Sequence, residues 1–242
     1  MERTSLTIAE GFAPILNSAG LDSFDRVMDV SAPSGAVTRA VPGRFTTRIE
    51  LAGAAMYLKR YRGLFRAESA GREWRMLHDV AAAGIPCPVP AAWGERRGLL
   101  GPKESFLITA EIPRAEQADW WVRGRPARRP ALIRAVAELA RKFHGAGFHH
   151  RDLYLCHFFV REGAEGLDLF LIDLQRARRF GWRRRRWLVK DLAQLHFSIG
   201  QAGFAAADWE EFLRCYGPAD AAIAGAVRAK SARIGRHAPR YG

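Results

Sequence analysis

Cysteine is scarce in this chain: Cys87, Cys156 and Cys215 are the only three in 242 residues, an odd number with no Cys-x-x-Cys pair. That excludes a disulfide framework, gives no thiolate set for structural zinc, and makes a reducing cytosol the expected compartment. No apolar run is long enough to span a bilayer, which takes about 20 residues. The N-terminal Met1-Glu-Arg-Thr-Ser-Leu6 lacks the cationic start and unbroken apolar core of a secretory signal, so the chain is expected to stay soluble where it is made. Internal repeats are absent, which rules out a solenoid. Acidic residues are also in short supply, 25 Asp+Glu against 38 Lys+Arg, for a net charge of +13. What is present is foldable: 48% of residues are hydrophobic, too many for a disordered chain, and the length allows one domain or two small lobes.

A charge of +13 attracts polyanions in general, from nucleic acid to an anionic membrane leaflet, a nucleotide or a phosphorylated glycan. It is concentrated in two places. Arg123, Arg125, Arg128 and Arg129 read as one solvated loop, and the stretch from Arg176 to Trp187 interleaves seven arginines with Phe180, Trp182 and Trp187. That second composition suits a surface meeting phosphate and an apolar phase together. No recognition helix, zinc finger or aromatic-sheet signature accompanies the charge, so nucleic acid is not expected as a partner.

Residues 1–110 read as a mixed, strand-rich lobe. A short helix is expected around Leu21 to Met28, then strands near Thr46–Leu51 and Ala55–Tyr61. A helix over Glu68–Ala83 follows, with Glu73, Leu77 and Val80 on one face, ending at Gly84 before the extended Pro86-Cys-Pro-Val-Pro90. A strand over Ser105–Ala110 closes the lobe. Residues 111–242 are more helical: Leu132, Val136, Leu139 and Phe143 form one apolar stripe, and Trp187 to Arg233 is helical in pattern. A hairpin is expected from strands Leu155–Val160 and Leu167–Ile172 around Arg161–Gly166. The sum is an α+β, two-lobed fold with a cleft between a small strand-rich lobe and a helical one.

The most informative stretch is His149-His-Arg-Asp-Leu-Tyr-Leu-Cys-His157, placed after the amphipathic helix and before a strand pair ending in Asp173. In phosphoryl transfer one carboxylate accepts the proton of the attacking hydroxyl, and a second holds the Mg²⁺ that bridges nucleotide phosphates. Asp152 fits the first and Asp173 the second. The same template needs a strand lysine and a helix glutamate whose ion pair aims the ammonium at the phosphates. Lys59 lies in a strand, and Glu73 shares the inward face of its helix with Leu77 and Val80, so it requires a cationic partner.

The order Lys59, Glu73, His150-Arg-Asp152, Asp173 is similar to that of the lipopolysaccharide core kinase family, protein-kinase-like enzymes that phosphorylate inner-core heptose or Kdo sugars in Gram-negative bacteria. The most specific stretch is His150-Arg-Asp-Leu-Tyr-Leu-Cys-His-Phe158, which resembles the heptose kinase branch, where Cys-His takes the place of the usual asparagine. Supporting matches are Ala19-Gly-Leu-Asp-Ser-Phe24, Tyr57-Leu-Lys-Arg-Tyr-Arg62, Arg72-Glu-Trp74, Gly84-Ile-Pro86, Phe170-Leu-Ile-Asp-Leu-Gln175 and Lys190-Asp-Leu-Ala-Gln-Leu-His196. The resemblance implies a protein-kinase-like fold and an ATP- and Mg²⁺-dependent kinase. Its acceptor is expected to be the inner-core glycolipid, heptose favoured over Kdo, with peripheral contact to the anionic cytoplasmic face of the inner membrane. Lys59 then holds the nucleotide phosphates with Glu73 as partner, Asp152 is the catalytic base, Asp173 the metal ligand, and Thr109 to Ile112, including Glu111, the hinge along which adenine binds. Asp191 braces the catalytic loop through backbone amides.

Three departures qualify this. His157 stands where an asparagine completes Mg²⁺ coordination, and imidazole is a softer ligand than Mg²⁺ prefers, so His157 is either a second metal ligand or a packing and hydrogen-bonding residue. Leu174-Gln175 follows Asp173 in place of Phe-Gly, which removes a switching hinge and implies constitutive activity. The phosphate-covering loop, expected at Val41–Thr47, has only Gly43, with Arg44 or Thr46 as donors. Only 17 residues separate Asp173 from Asp191, too few for a long peptide-holding segment. A compact anionic acceptor is therefore expected, met by the arginines that directly follow Asp173. The alternatives are a related small-molecule or protein kinase, and a pseudokinase that binds membrane glycolipid without turnover.

Overall fold

The computed structural model describes residues 2–30, 37–63, 68–164, 166–217 and 221–237, in two compact units. The first comprises residues 1–79 and 88–113, the second residues 80–87 and 114–242.

The first unit contains β1 (Arg3–Ile8), α1 (Ala13–Ser18), α2 (Phe24–Met28), β2 (Val37–Val41), β3 (Arg44–Leu51), β4 (Ala54–Arg62), most of α3 (Glu68–Ala82), β5 (Pro90–Gly98) and β6 (Gly101–Ala110). The strands form one antiparallel sheet in the order β1-β5-β6-β4-β3-β2. Successive side chains of a strand point to opposite faces. Met56 and Leu58 of β4 therefore join Phe106 and Ile108 of β6 in a core closed by Leu16, Phe24, Val27 and Met28 of α1 and α2. Tyr57, Lys59 and Tyr61 face the other way. In register across that second face stand Thr46, Lys59, Leu107 and Trp93. Helix α3 packs there so closely that a Cβ on Gly71 would come within 3.0 Å of the Trp93 ring.

One expectation is corrected in this unit, and the form of another is given. The N-terminal segment forms edge strand β1, and the helix expected from Leu21 begins only at Phe24, where Ser23 caps it by accepting from the Arg26 amide. The expected phosphate loop is a tight hairpin: Val41 pairs with Arg44, and Pro42-Gly43 makes the turn, with Gly43 at φ +74°. Proline's fixed φ followed by glycine at positive φ is the chemistry of a type II turn.

The second unit contains the end of α3, then β7 (Glu116–Gln117), α4 (Ala118–Arg123), α5 (Arg129–Gly145), β8 (Phe148–His149), β9 (Phe158–Gly163), β10 (Gly166–Leu171), β11 (Arg178–Arg179), α6 (Arg184–Gln201), α7 (Ala206–Tyr216) and α8 (Ala221–His237). The α5 stripe Leu132, Val136, Leu139 and Phe143 is buried as expected. Strands β10, β9 and β7 form one small sheet, β11 and β8 another. The hairpin is tighter than expected. Gly163 pairs with Gly166, and Leu155–His157 is a 3₁₀ turn that leads into β9.

The arginines from 123 to 129 are not one loop. Arg123 ends α4 and stacks on Trp120, Arg125 pairs with Glu116, Arg128 pairs with Glu162, and Arg129 starts α5. Pro126 and Pro130 suggest a break but sit at the starts of helical turns, where the missing N–H costs nothing. The mixed sheet-and-helix build is the expected α+β class, and the three cysteines form no disulfide.

Candidate active site

In the first unit the opposite-face alternation of β4 and the inward spacing of α3 bring Lys59 and Glu73 together. Lys59 Nζ donates to Glu73 Oε1 at 2.6 Å, with the lysine side chain 13% and the glutamate 2% exposed. Tyr61, two residues along on the same strand face, donates its hydroxyl to Glu73 Oε2 at 3.4 Å. A carboxylate this buried is tolerated only when its charge is met and its lone pairs are used.

Glu111 lies just past β6, its amide donating to Ala55 O and its side chain held by Arg48 at 2.8 Å. Thr109 is buried within β6 opposite Tyr57, and Ile112 follows where the chain leaves the sheet. Gly43 and Arg44 sit at the β2–β3 turn, with Arg44 opposite Tyr61.

In the second unit Asp152, His157 and Asp173 converge. His157 Nδ1 donates to the Asp152 carbonyl at 2.6 Å. A carbonyl only accepts, so Nδ1 carries a hydrogen, and Nε2 on the other side of the ring lies 3.9 Å from Asp173 Oδ2. Asp173 is nearly buried and sits in the left-handed region at φ +58°, ψ +53°, where it leads into the 3₁₀ turn Leu174–Arg176. Arg151, immediately before Asp152, is left-handed too, at φ +69°. Of the four non-glycine residues with positive φ among those described, Ala52 and Arg114 lie in turns, whereas the other two are the neighbour of Asp152 and Asp173 itself. Such conformations persist only where the surroundings over-determine them.

Helix α6 supplies that over-determination around Arg151. Lys190, Asp191, Gln194 and Ser198 fall on one helical face, spaced by three and four residues. They bind the loop group by group. Asp191 accepts from the amides of His150 at 2.6 Å and Arg151 at 2.8 Å, Gln194 from Leu153 at 3.0 Å, and Ser198 from Leu155 at 2.9 Å, while Lys190 donates to the Arg151 carbonyl. Asp191 is fully buried. Burial alone would raise its pKa, but the hydrogen bond and charge of His144, with His150 adding to them, hold it below the ordinary carboxylate value. The bracing expected of Asp191 is thus direct, and Gln194 and Ser198 extend it. Their signal lies in the sequence as polar residues at helical spacing among Leu192, Leu195 and Ile199.

Asp152 itself is partly open to solvent, its side chain 28% exposed, with Gln194 Nε2 at 3.5 Å and Arg176 Nη1 at 3.6 Å from Oδ1. It is the reachable carboxylate of the cluster and Asp173 the enclosed one, a division that suits a proton acceptor and a cation ligand respectively. Two candidate donors stand together here, Asp173 Oδ2 and His157 Nε2. No group of three or more His, Cys, Asp or Glu among the described residues is arranged to hold a metal. The Asp173 carboxylate fits a Mg²⁺ ion completed by phosphate oxygens and water, the usual arrangement for this ion, whereas the imidazole is a softer donor than Mg²⁺ prefers.

His149 and His150 shape the loop from behind. His150 donates from Nε2 to Ile172 O at 3.0 Å, stacks on His157, and is pushed by burial down to about 4. His149 lies between the rings of Phe180 and Trp187, with centroids at 5.2 and 4.9 Å. Burial pushes it down to about 4 against the attraction of Asp191, with Arg151 adding to the downward push. Both rings are neutral in the fold and titrate near 6.5 once unfolded. The unfolded chain therefore binds more protons between about pH 4 and about pH 6.5, and stability is full above that window and lost as pH falls through it. Thermal denaturation followed by circular dichroism should show the midpoint dropping from about pH 7 to about pH 5. His149→Phe, which keeps the stack, should flatten that drop by the share of His149 and leave the share of His150. A variant profile identical to the wild type would show that His149 is not the titrating group.

The match to known proteins agrees with this geometry. Residues 52–216 match the model of the lipopolysaccharide kinase (Kdo/WaaP) family, a span that contains Lys59, Glu73, Asp152, Asp173 and Asp191. The chain is 33% identical to the lipopolysaccharide core heptose(I) kinase WaaP of Pseudomonas aeruginosa, over 87% of this chain and 85% of that one. Against the protein of the same name from Escherichia coli K12 it is 32% identical, over 79% and 81% respectively. A solved structure of WaaP in complex with acyl carrier protein superposes with a TM-score of 0.75 at 30% identity, covering 95% of this chain and 99% of that one. The fold is thus the kinase-like α+β fold, and the chain belongs to the Kdo/WaaP lipopolysaccharide kinase family.

Proposed function

We propose that this protein is an ATP-dependent kinase that transfers the γ-phosphoryl group to a heptose hydroxyl of the lipopolysaccharide inner core. The observation that carries the reading is the loop around Asp152, held amide by amide by α6, with an accessible carboxylate beside a buried one. Phosphoryl transfer asks little covalent chemistry of a protein and a great deal of positioning, and a pre-set loop is what it requires. The names of the relatives support heptose as acceptor.

In this reading Asp152 accepts the proton of the acceptor hydroxyl as it attacks phosphorus. Lys59, aimed by Glu73, holds the nucleotide phosphates, and Thr109 to Ile112 lie along the adenine. Gly43 and Arg44 provide the covering turn. Asp173, with His157 Nε2 beside it, would hold Mg²⁺, which neutralises charge on the phosphate oxygens when bound. His157 fixes the Asp152 backbone through Nδ1 in either case. Arg176, half-exposed next to Asp152, meets an anionic group of the acceptor. No helix among the described residues is long and apolar enough to cross a membrane. The proposed acceptor is a membrane glycolipid, so the protein works at the cytoplasmic face of the inner membrane by peripheral contact.

The test is transfer of labelled γ-phosphate from ATP to phosphate-free core lipopolysaccharide, with and without Mg²⁺, on acceptors that carry heptose and on acceptors that stop at Kdo. Mg²⁺-dependent labelling of the heptose acceptor alone is the expected result. Labelling of the Kdo-only acceptor would move the assignment to that sugar, and labelling of neither would overturn the kinase reading.

A further inference from the structure

The surface from Gly181 to Arg186 has no part in the chemistry above. All six residues are exposed, and Trp182, at the turn that enters α6, is 89% exposed. Arg183, Arg184, Arg185 and Arg186 pair with no carboxylate among the described residues. Three of their guanidinium groups lie over aromatic rings instead: Arg183 over Trp182 at 4.2 Å, Arg184 over Phe180 at 5.2 Å and Arg186 over Trp187 at 5.2 Å.

Their position opposes folding. They occupy the N-cap and first turn of α6, where the positive end of the helix dipole disfavours cations, and no acidic side chain offsets them. The ring contacts of Arg183, Arg184 and Arg186 offset only part of that cost, and an anionic counterpart outside the chain would compensate the rest. Trp and Arg are common at protein interfaces too, but a stable interface buries about 800 Å² and roughly 20–30 residues per side, whereas this patch is six consecutive exposed residues at one turn. The headgroup layer of an anionic bilayer fits well: indole rings settle at that depth, and arginines collect anionic headgroups around them.

The surface is one layer of side chains from the candidate base. The Trp187 ring stacks on His149, and the Arg151 guanidinium lies 4.4 Å above it, immediately before Asp152.

We infer that residues 181–186 dock this protein on an anionic membrane surface, with Trp182 in the headgroup region and the Asp152 loop held next to that plane. The purpose of the docking rests on the glycolipid-kinase reading; the docking itself does not.

The test is flotation of the intact protein with vesicles of phosphatidylcholine alone or mixed with about one-third phosphatidylglycerol. The wild type should float with the anionic vesicles, not with the neutral ones, and should be released by about 0.5 M salt. Each arginine near such a surface is worth about fivefold in partitioning, so R183Q/R185Q should bind about 25-fold more weakly. Trp182→Ala, which removes an exposed ring and the contact Arg183 makes with it, should lose about tenfold. Both variants should phosphorylate a deacylated, soluble core oligosaccharide as the wild type does, and lose transfer to the same core embedded in vesicles.

Failure of the wild type to float, or equal flotation of both variants, would overturn the docking surface. Loss of transfer to the soluble core would reassign these residues to the acceptor site. Salt-sensitive capture of a purified acidic protein, without vesicle binding, would make the surface a protein interface. A wild type that floats with anionic vesicles but phosphorylates neither acceptor would leave the docking standing and remove the kinase reading.

Discussion

Asp152→Asn should lower kcat for phosphoryl transfer by about 10²–10⁴-fold, the contribution of a positioned general base. The substitution keeps the shape and one acceptor oxygen, so the contacts with Gln194 Nε2 and Arg176 remain possible. The bonds that hold the loop are made by backbone groups of residues 150, 151, 153 and 155 and are untouched. Thermal stability should therefore stay within about 1 kcal/mol of the wild type. Because the interaction lost is one made as the proton moves, kcat and kcat/KM for the acceptor should fall together. Steady-state kinetics on both proteins with the heptose acceptor would decide the matter. Activity within a few-fold of the wild type would remove Asp152 from the role of base.

That argument turns on a division the sequence only half discloses. The period of Glu73, Leu77 and Val80 points Glu73 inward, and the alternation of β4 puts Lys59 on the face opposite Leu58; each orientation is legible locally, and the phosphoryl-transfer template supplies their pairing. The α5 stripe is legible for the same reason: a single periodicity is a local property of the chain. What the sequence hides depends on a second segment. Strand β5 contains Gly94, a poor strand former, and fits the sheet there because Gly94 admits the Phe106 ring and the Ser5 carbonyl, each under 3.0 Å from where a Cβ would stand. Residues Leu155–His157 read as strand but turn as 3₁₀, because Ser198 takes the Leu155 amide and the His157 amide closes on Tyr154. Likewise the α6 face Lys190, Asp191, Gln194 and Ser198 is visible as a pattern, yet nothing local says that it faces the loop at 150–155.

The pair in the first unit should separate stability from catalysis. Lys59→Ala leaves the Glu73 carboxylate, 2% exposed, without the ammonium 2.6 Å away, with the Tyr61 hydroxyl still in place. Removing one member of a buried ion pair costs about 3–5 kcal/mol, because the remaining charge stays buried after losing its counter-charge. Transfer should fall as well, by about 10²–10³-fold, the scale of one electrostatic group aimed at developing charge. Replacing both residues by methionine removes the stranded charge along with its partner. A buried pair exchanged for apolar groups of similar size is often neutral in stability, so the double variant should unfold near the wild type and yet transfer no phosphate. Chemical denaturation of wild type, both single variants and the double variant closes a cycle whose coupling term reads the pair directly. Recovery of stability without recovery of activity would mean that Lys59 and Glu73 are kept together for the phosphates they address. If Lys59→Ala unfolds like the wild type, the pair does not stabilise this unit, and if the double variant transfers phosphate normally, the ammonium is not part of the chemistry.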